Sequence, residues 1–501
     1  MFRPINIIQE EMHKRITQQV MSVLVTICLL VGSLYYIQQL TKVKAASARD
    51  LSYSTYFDYA EDYDVLYFGT SHVMYGINPL EIWNEYGVTS YNWGSPLCAL
   101  PSTYWKLRNV LDYGTPKLVV VDCFRSALPY KTFNKYYTHE AFDAFPLSYM
   151  KWVAINDLMK DEARQEDEHI FTDSERYGVL FPLCDYHTRW GDLQEEDCGS
   201  DFVDTKGGEF AINVAVPIEI SNTSEKTEIT EDIEGVIYLE RIIEECRNRN
   251  IPLLLTYLPY PTDETWKKEA NMIQDIADKY GVNYVNFTNF DVVNYQTDFA
   301  DPYSHMNIAG QKKVSEYLGE YILFNYEIED KRDSAIAGQW NAWYEEYKEY
   351  EAKLIKSQNN LNTYLMLLYN SPNDIIIDLK ENTLTLNNVY KDLLSSVGSG
   401  TDEINETTDF IIVHEGKTVA LDSFRENGAS KETELGTISL WYGDNGYNMY
   451  INGSECYTES MDDNVSLRIR VTRNDKVLDD VRFEYIVDPE STDVIVYDVN
   501  R

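Results

Sequence analysis

Val65-Leu66-Tyr67-Phe68-Gly69-Thr70-Ser71-His72-Val73-Met74-Tyr75-Gly76-Ile77-Asn78-Pro79 runs from an apolar segment into a Gly-Thr-Ser turn. Four apolar residues ahead of a glycine read as a short buried strand, and the turn then sets Ser71 where strand becomes loop. That position suits a nucleophile. A serine hydroxyl is weak at its free pKa, however, and needs a base and an orienting group from elsewhere in the chain. Without them the same tripeptide is a polar turn closing a strand.

Outward from this stretch, strand-like and helix-like segments alternate. Val88 to Trp93 is a second short strand candidate, Pro101 to Tyr113 has helical spacing with Pro at its start, and Lys117 to Cys123 is an apolar run suited to a buried parallel strand. The alternation resumes with a helix over Ile233 to Asn250, a strand over Ile251 to Leu258, a helix over Asp263 to Tyr280, a strand over Val282 to Phe287 and a helix over Ala309 to Phe324. Strands separated by such helices predict a three-layer α/β domain with a mainly parallel sheet over residues 50–327. Ligands of such sheets sit at the carboxyl ends of the strands, where Ser71 falls. Thr138 to Lys160 and the aromatic-rich Arg176 to Leu193 interrupt the order, and the acidic stretch of about 194–232 reads as an insert, either a lid or a solvated excursion.

Ahead of this domain, Val20 to Ile37 carries no charge, and the stretch reaches Leu40 if Gln38 and Gln39 sit at an interface. Eighteen such residues are just enough to cross a bilayer. We expect a tail over residues 1–19 and a transmembrane anchor over 20–40. A cleaved signal peptide fits less well, because Ala46-Ser47-Ala48 lies far beyond the apolar core with Lys42 and Lys44 between. Basic residues balance on the two sides, so charge does not set the orientation.

Beyond Glu327 the composition changes. Ile336, Trp340, Trp343, Tyr347, Tyr350 and Leu354 recur in steps of four and three, predicting a long amphipathic helix within 328–370 whose apolar seam serves core or interdomain packing rather than a ligand. Residues 371–501 break into short alternating segments: Asp374 to Leu379, Asp409 to Val413, Thr437 to Trp441, Asn448 to Ile451, Val465 to Val471, Val481 to Val487 and Asp493 to Asp498. These predict a small antiparallel β-sandwich.

With 82 acidic against 43 basic residues, the formal net charge of −39 disfavours nucleic acid and anionic membrane surfaces as partners. The seven cysteines have no metal-ligand spacing, so no metal and no cofactor is expected and buried thiols are the simplest reading, with Cys184 and Cys198 the one pair left open.

One other stretch has the makings of catalysis with Ser71. Asp298-Phe299-Ala300-Asp301-Pro302-Tyr303-Ser304-His305-Met306-Asn307-Ile308-Ala309-Gly310 is a polar loop leading into the last helix of the α/β domain. A histidine there can act as general base, and a carboxylate a few residues earlier can hold its tautomer. A D-x-x-x-H loop alone is a weak signal, since a surface histidine gives the same pattern.

Together, Gly69-Thr70-Ser71 and Asp301 with His305 resemble the first and last blocks of the SGNH, or GDSL-type, hydrolase superfamily. The F-G-T-S-H opening, Tyr91-Asn92-Trp93-Gly94 and the S-H-M-N-x-x-G ending look most like its membrane-anchored, DltD-like polysaccharide O-acyltransfer branch, over about residues 60–325. The resemblance implies Ser71 as nucleophile, His305 as base and Asp301 as orienting acid, with an oxyanion hole from the backbone N–H groups of Ser71 and Gly94, beside Asn92. It implies an extracytoplasmic O-acyltransferase or esterase, acetyl being the acyl group expected, on an envelope polysaccharide or acyl ester, with a multispanning membrane acyltransferase as a possible partner. A non-catalytic anchored scaffold or glycan-binding protein assisting such a partner is the alternative. Two departures stand out. The family places its acid three residues before the histidine, where this chain has Pro302, so Asp301 and Asp298 are both candidates. Its third block carries an Asn, where this chain ends a strand as Val121-Asp122-Cys123-Phe124-Arg125 and Arg125 is the available donor. His72, His139, His187 and Arg189 are further candidates for the acceptor side, each with an ordinary structural role as the alternative.

Overall fold

The computed structural model describes residues 5–41, 55–160, 171–193, 203–215, 220–230, 232–380, 388–401, 404–460, 466–487 and 494–500. Cys198 and Ala46-Ser47-Ala48 lie outside them. The α/β domain is built on a five-stranded, all-parallel sheet of order β2-β1-β3-β4-β5. The strands are β1 (Val65–Phe68), β2 (Ser90–Asn92), β3 (Leu118–Asp122), β4 (Leu253–Tyr257) and β5 (Asn283–Asn286).

Side chains alternate across a strand, so β1, β3 and β4 feed two cores. Leu66, Phe68, Val119, Val121, Leu253 and Leu255 join one, while Val65, Tyr67, Leu118, Val120 and Leu254 join the other. Two cores on opposite faces of one sheet make three layers. The helices up to the end of this domain are, in chain order, α1 (Ile5–Thr41), α2 (Ser71–Gly76), α3 (Pro79–Tyr86), α4 (Leu100–Val110), α5 (Lys135–Phe142), α6 (Tyr149–Lys160), α7 (Asp173–Leu180), α8 (Leu183–Tyr186), α9 (Glu234–Asn248), α10 (Glu264–Tyr280) and α11 (Ile308–Asn325); among the described residues, all but α1 and α8 contribute side chains to these cores. α4 and α9 pack together on the first core, and α3 and α11 on the second.

One helix, α1, runs through the expected tail and the apolar segment. Residues Met12–Gln38 within it are long and apolar enough to cross a membrane. The helix extends ahead of the uncharged stretch because Ile5 to Gln19 contain neither Pro nor Gly to interrupt it.

The long helix expected within 328–370 is two helices, α12 (Ala337–Ser357) and α13 (Leu361–Leu367). The break falls at Gln358-Asn359-Asn360, where the Asn360 side chain accepts the Thr363 N–H and starts a new helix. The apolar seam packs as anticipated: Trp340, Trp343 and Tyr347 enter the α/β core beside Tyr63 and Trp83.

The C-terminal region holds two antiparallel sheets. One has six strands in the order β15-β14-β13-β6-β7-β8 and the other four in the order β12-β11-β10-β9. They comprise β6 (Asp374–Leu379), β7 (Thr408–His414), β8 (Lys417–Asp422), β9 (Ala429–Thr433), β10 (Gly436–Gly443), β11 (Gly446–Ile451), β12 (Ser454–Ser460), β13 (Leu467–Arg473), β14 (Lys476–Val487) and β15 (Val494–Asn500). Ile376, Phe410 and Ile412 of the larger sheet face Ile438, Leu440 and Met449 of the smaller. Its other face packs on α13, α14 (Asn388–Ser395) and on Ile308 and Ala309 of α11. The region is therefore a sheet between helices and a second sheet, and its core is continuous with the last helix of the α/β domain. The strands β8, β9 and β12 were not legible as strands, being polar and partly exposed.

Candidate active site

β1 delivers the Gly-Thr-Ser turn to the carboxyl end of the sheet. A Cβ on Gly69 would meet Val73 Cγ2 at 2.5 Å and Asp122 Cβ at 3.0 Å, so only glycine lets the turn pass so close to β3. Thr70 then caps α2, its hydroxyl accepting the His72 N–H at 3.2 Å. Ser71 is thus the first residue of a short helix rather than part of a loop. Its own N–H has no acceptor among the described residues, as befits a first-turn donor.

The Asp298–Gly310 segment folds back on itself. Phe299 and Met306 form an antiparallel bridge, Ala300 N–H donates to the His305 carbonyl at 2.8 Å, and Asn307 N–H to the Asp298 carbonyl at 3.0 Å. Asn307 caps α11 through its Oδ1, which accepts from Ala309 and Gly310. At the tip, His305 Nε2 lies 2.9 Å from Ser71 Oγ, and His305 Nδ1 lies 2.7 Å from Asp301 Oδ2. A carboxylate accepts only, so Nδ1 carries the proton and Nε2 offers its lone pair to the serine hydroxyl. Ser71, His305 and Asp301 therefore stand in a hydrogen-bonded row.

Of the two acids open from sequence, Asp301 is the one on the histidine. Asp298 is buried and takes up Lys313 Nζ and the Asn294 N–H, both at 2.7 Å. The unusual spacing has a local cause. The Asp301 carboxylate also accepts the N–H groups of Tyr303, Ser304 and His305 at 2.9, 2.7 and 3.2 Å, while Pro302 has no N–H to offer. The acid is held by its own turn. Burial works to raise its pKa, but the Tyr303 N–H, the charge of His305 and the Ser304 N–H outweigh it and hold the carboxyl below its ordinary value.

The second expected oxyanion donor is engaged elsewhere. Gly94 N–H donates to Asn92 Oδ1 at 2.8 Å, and the Asn92 amide donates at 2.8 Å to both the Val73 and the Ile77 carbonyls. Asn92 thereby ties the turn after β2 to the backbone of α2. A Cβ on Gly94 would meet Met74 N at 2.5 Å, which shows how closely the two segments approach. Lys106, fully buried, supports the same turn through the Trp93 carbonyl at 2.6 Å and Ser95 Oγ at 2.9 Å.

Arg125 follows β3 in a left-handed conformation, φ 67°, which costs a non-glycine residue roughly 1–2 kcal/mol. Its backbone N–H is held by Glu269 Oε1 at 2.6 Å, and its guanidinium lies over Phe133, Phe124 and Trp266 at 4.9 to 5.5 Å. Its Nε is buried with no partner among the described residues.

His72 is buried and does not line an open acceptor side. Its ring stacks on Phe124 at 3.9 Å and on Tyr260 at 4.7 Å, and stands edge-on to His305 at 6.3 Å. Burial, then the charges of His305 and Arg125, hold it well below the ordinary histidine value, so the ring is neutral. His139 is clasped between Asp143 and Asp185, His187 bonds the Cys184 carbonyl, and Arg189 belongs to a 3-10 turn beyond α8. These three sit on the α5–α8 excursion and not on the elements that carry the serine and histidine.

Several neighbours carried no sequence signal of a role at the site. Tyr75 packs its ring 4.9 Å from that of His305, and Ser304 Oγ lies 3.0 Å from His305 Nδ1. Part of the supposed insert forms a wall: Asn92 N–H donates to the Lys206 carbonyl, Glu209 N–H to Met74, Ile308 N–H to Ala211 and Ala215 N–H to Phe299. The described part of this segment is therefore bonded into both the serine and histidine elements. Its polar, aperiodic composition concealed this, because backbone pairing leaves no side-chain pattern.

Among the described residues no cluster of ligating side chains could hold a metal. No protein-family model matches the chain, and no curated protein matches it.

Proposed function

We propose that this protein is a membrane-anchored, extracytoplasmic serine-dependent O-acyltransferase or esterase of SGNH type, acting on a cell-envelope polysaccharide through an acyl-serine intermediate. The single observation that carries this reading is the row of Ser71 Oγ, His305 Nε2 at 2.9 Å and Asp301 Oδ2 at 2.7 Å from Nδ1. His305 takes the hydroxyl proton as Ser71 Oγ attacks the acyl carbonyl, and Asp301 stabilises the imidazolium. Collapse of the tetrahedral intermediate expels the donor alcohol, which leaves with the proton from His305. A sugar hydroxyl, or water in hydrolysis, then gives its proton to the same histidine and attacks the acyl-serine. The Ser71 N–H, without an acceptor among the described residues, supports this reading as one oxyanion donor, and Arg125 is the candidate for a second. An acetyl group is the acyl moiety we favour, and an anchored enzyme suits delivery from a membrane-borne donor. On this reading α1 spans the membrane and residues beyond it lie outside the cytoplasm.

The full-length protein treated with a fluorophosphonate is expected to become labelled at Ser71, and Ser71→Ala to abolish labelling. Wild-type protein that stays unlabelled overturns the acyl-enzyme. The engagement of Gly94 N–H by Asn92 favours the second reading, a non-catalytic anchored scaffold or glycan-binding partner of a multispanning acyltransferase. In that case Ser71→Ala leaves envelope acylation unchanged while removal of the protein abolishes it.

A further inference from the structure

Along α1, residues 12–37 are exposed, whereas Gln38 and Leu40 are half-buried. The elements that α1 meets are α8 and the 3-10 turn His187–Gly191. Among the described side chains contact thus falls at the last turn of α1, and the apolar span also ends there, at Gln38. Where the span leaves hydrocarbon, the body of the protein presents the 3-10 turn.

The side chains on that part of the body are unusual for a surface. Trp190, within the turn, is 69% exposed, and Tyr177 and Phe181 of the adjoining α7 and its cap are exposed as well. α7 packs on α8, and α8 on the 3-10 turn, so the three rings belong to elements contiguous with the end of α1. Exposed tryptophan and tyrosine beside the end of an apolar span are the composition of a membrane–water interface, where an amphipathic ring sits at headgroup level.

We propose that the 3-10 turn bearing Trp190, with Tyr177 and Phe181, docks into the lipid headgroup region of the bilayer that α1 spans, as a second contact that fixes the body against the membrane. The inference rests on α1 being retained as a membrane span. Charge does not drive it: with a net charge of −39 the protein is repelled by anionic lipid, and the patch mixes Arg176, His187 and Arg189 with Asp173, Glu175, Asp185 and Asp192. The occupant is a zwitterionic lipid surface, entered by rings.

The sequence makes the test clean, because none of the nine tryptophans lies in α1. Three are well exposed: Trp190, Trp152 on α6 at 48% and Trp441 on β10 at 57%. Full-length protein is reconstituted in phosphatidylcholine vesicles whose acyl chains are brominated close to the glycerol, and tryptophan emission is compared with unbrominated vesicles. Bromolipid is expected to quench part of the emission, Trp190→Phe to remove most of that quenching, and Trp441→Phe to leave it in place. High salt is expected to leave it unchanged, since screening weakens only charge-driven binding. Alkaline washing of the vesicles checks the span separately. Protein washed off overturns both the anchor and the dock. Protein retained without quenching overturns the dock alone, as does quenching that survives Trp190→Phe, vanishes with Trp152→Phe or is lost in high salt.

Discussion

At the residue scale, Asp301 shows how a departure from an expected spacing can be absorbed locally. Its carboxylate serves His305 and three successive N–H groups at once, so replacing it with Asn keeps one acceptor for the turn but offers an amide to the imidazole. The proposed chemistry then predicts that Asp301→Asn lowers turnover by roughly 10³–10⁴-fold with the fold intact, because the histidine is held in the wrong tautomer. Asp298→Asn is expected to spare the chemistry, since Asp298 serves Asn294 and Lys313. Acyl-transfer rates and fluorophosphonate labelling rates measure both, and equal losses in the two variants contradict the assignment. Asp122 makes a separate prediction about stability. Burial pushes it from 3.8 up to about 7 against the hydrogen bonds of Leu258, Phe124 and Thr256. A raised acid favours the folded state fully below its unfolded value, and that contribution is lost as pH rises through the folded one. A shift of this size corresponds to on the order of 4 kcal/mol. Asp122→Asn is therefore expected to flatten the decline of Tm between pH 3.8 and about 7, and an unchanged profile refutes it. Glu269, also buried and raised to about 7, contributes in the same direction.

At the element scale, α2 is too short to hold itself in place. Six residues form fewer than two turns, and so short a helix is unstable on its own in water. Asn92 supplies the missing constraint by donating to the Val73 carbonyl within α2 and to that of its cap residue Ile77, and by accepting the Gly94 N–H. Asn92→Ala takes from the Ile77 carbonyl the donor shown for it, while the Val73 carbonyl keeps the Ile77 N–H at 3.1 Å, and a buried group left unsatisfied costs about 1–3 kcal/mol. Chemical denaturation is expected to show a loss of about 1–3 kcal/mol, with slower fluorophosphonate labelling of Ser71. Asn92→Asp, which keeps the acceptor for Gly94 but loses both donors, is expected to fall between. A variant with wild-type stability contradicts the tie. The strand and helix of this element were readable from four apolar residues and Asn78-Pro79, whereas its clamp was not: Asn92 looks from sequence like any polar residue at a strand end.

At the scale of the whole molecule, the C-terminal sheets are joined to the site by a shared core. Ile308 and Ala309 follow His305 almost directly and pack with Ile375, Ile377 and Leu365. A second tie is ionic. Lys312 of α11 and Lys348 of α12 both reach Glu351, at 2.6 and 2.5 Å, beside Glu81 of α3. Burial alone raises Glu351, but the two ammonium groups overcome it and hold the carboxyl below the usual range. Breaking such a set on one side leaves a buried charge uncompensated, at about 3–5 kcal/mol. Lys348→Met is expected to lower stability by about that amount, measured by denaturant titration. Removing residues 371–501 strips the cover from the start of α11 and is expected to abolish both cooperative unfolding and Ser71 labelling. A fragment that keeps both shows the cores to be independent.

The alternation of apolar runs and amphipathic segments, by itself, determined the parallel sheet, the apolar N-terminal helix and the β-rich C-terminal region, because period and burial are written locally. The strand-end serine and the Asp/His loop were likewise legible as separate motifs. Only the tertiary structure decided that Ser71 and His305 meet, that Asp301 and not Asp298 serves the histidine, that Gly94 is bonded to Asn92, and that residues 203–215 wall the site. Each of those depends on backbone hydrogen bonds and close approach between segments far apart in the chain, and neither leaves a periodic trace in the side chains.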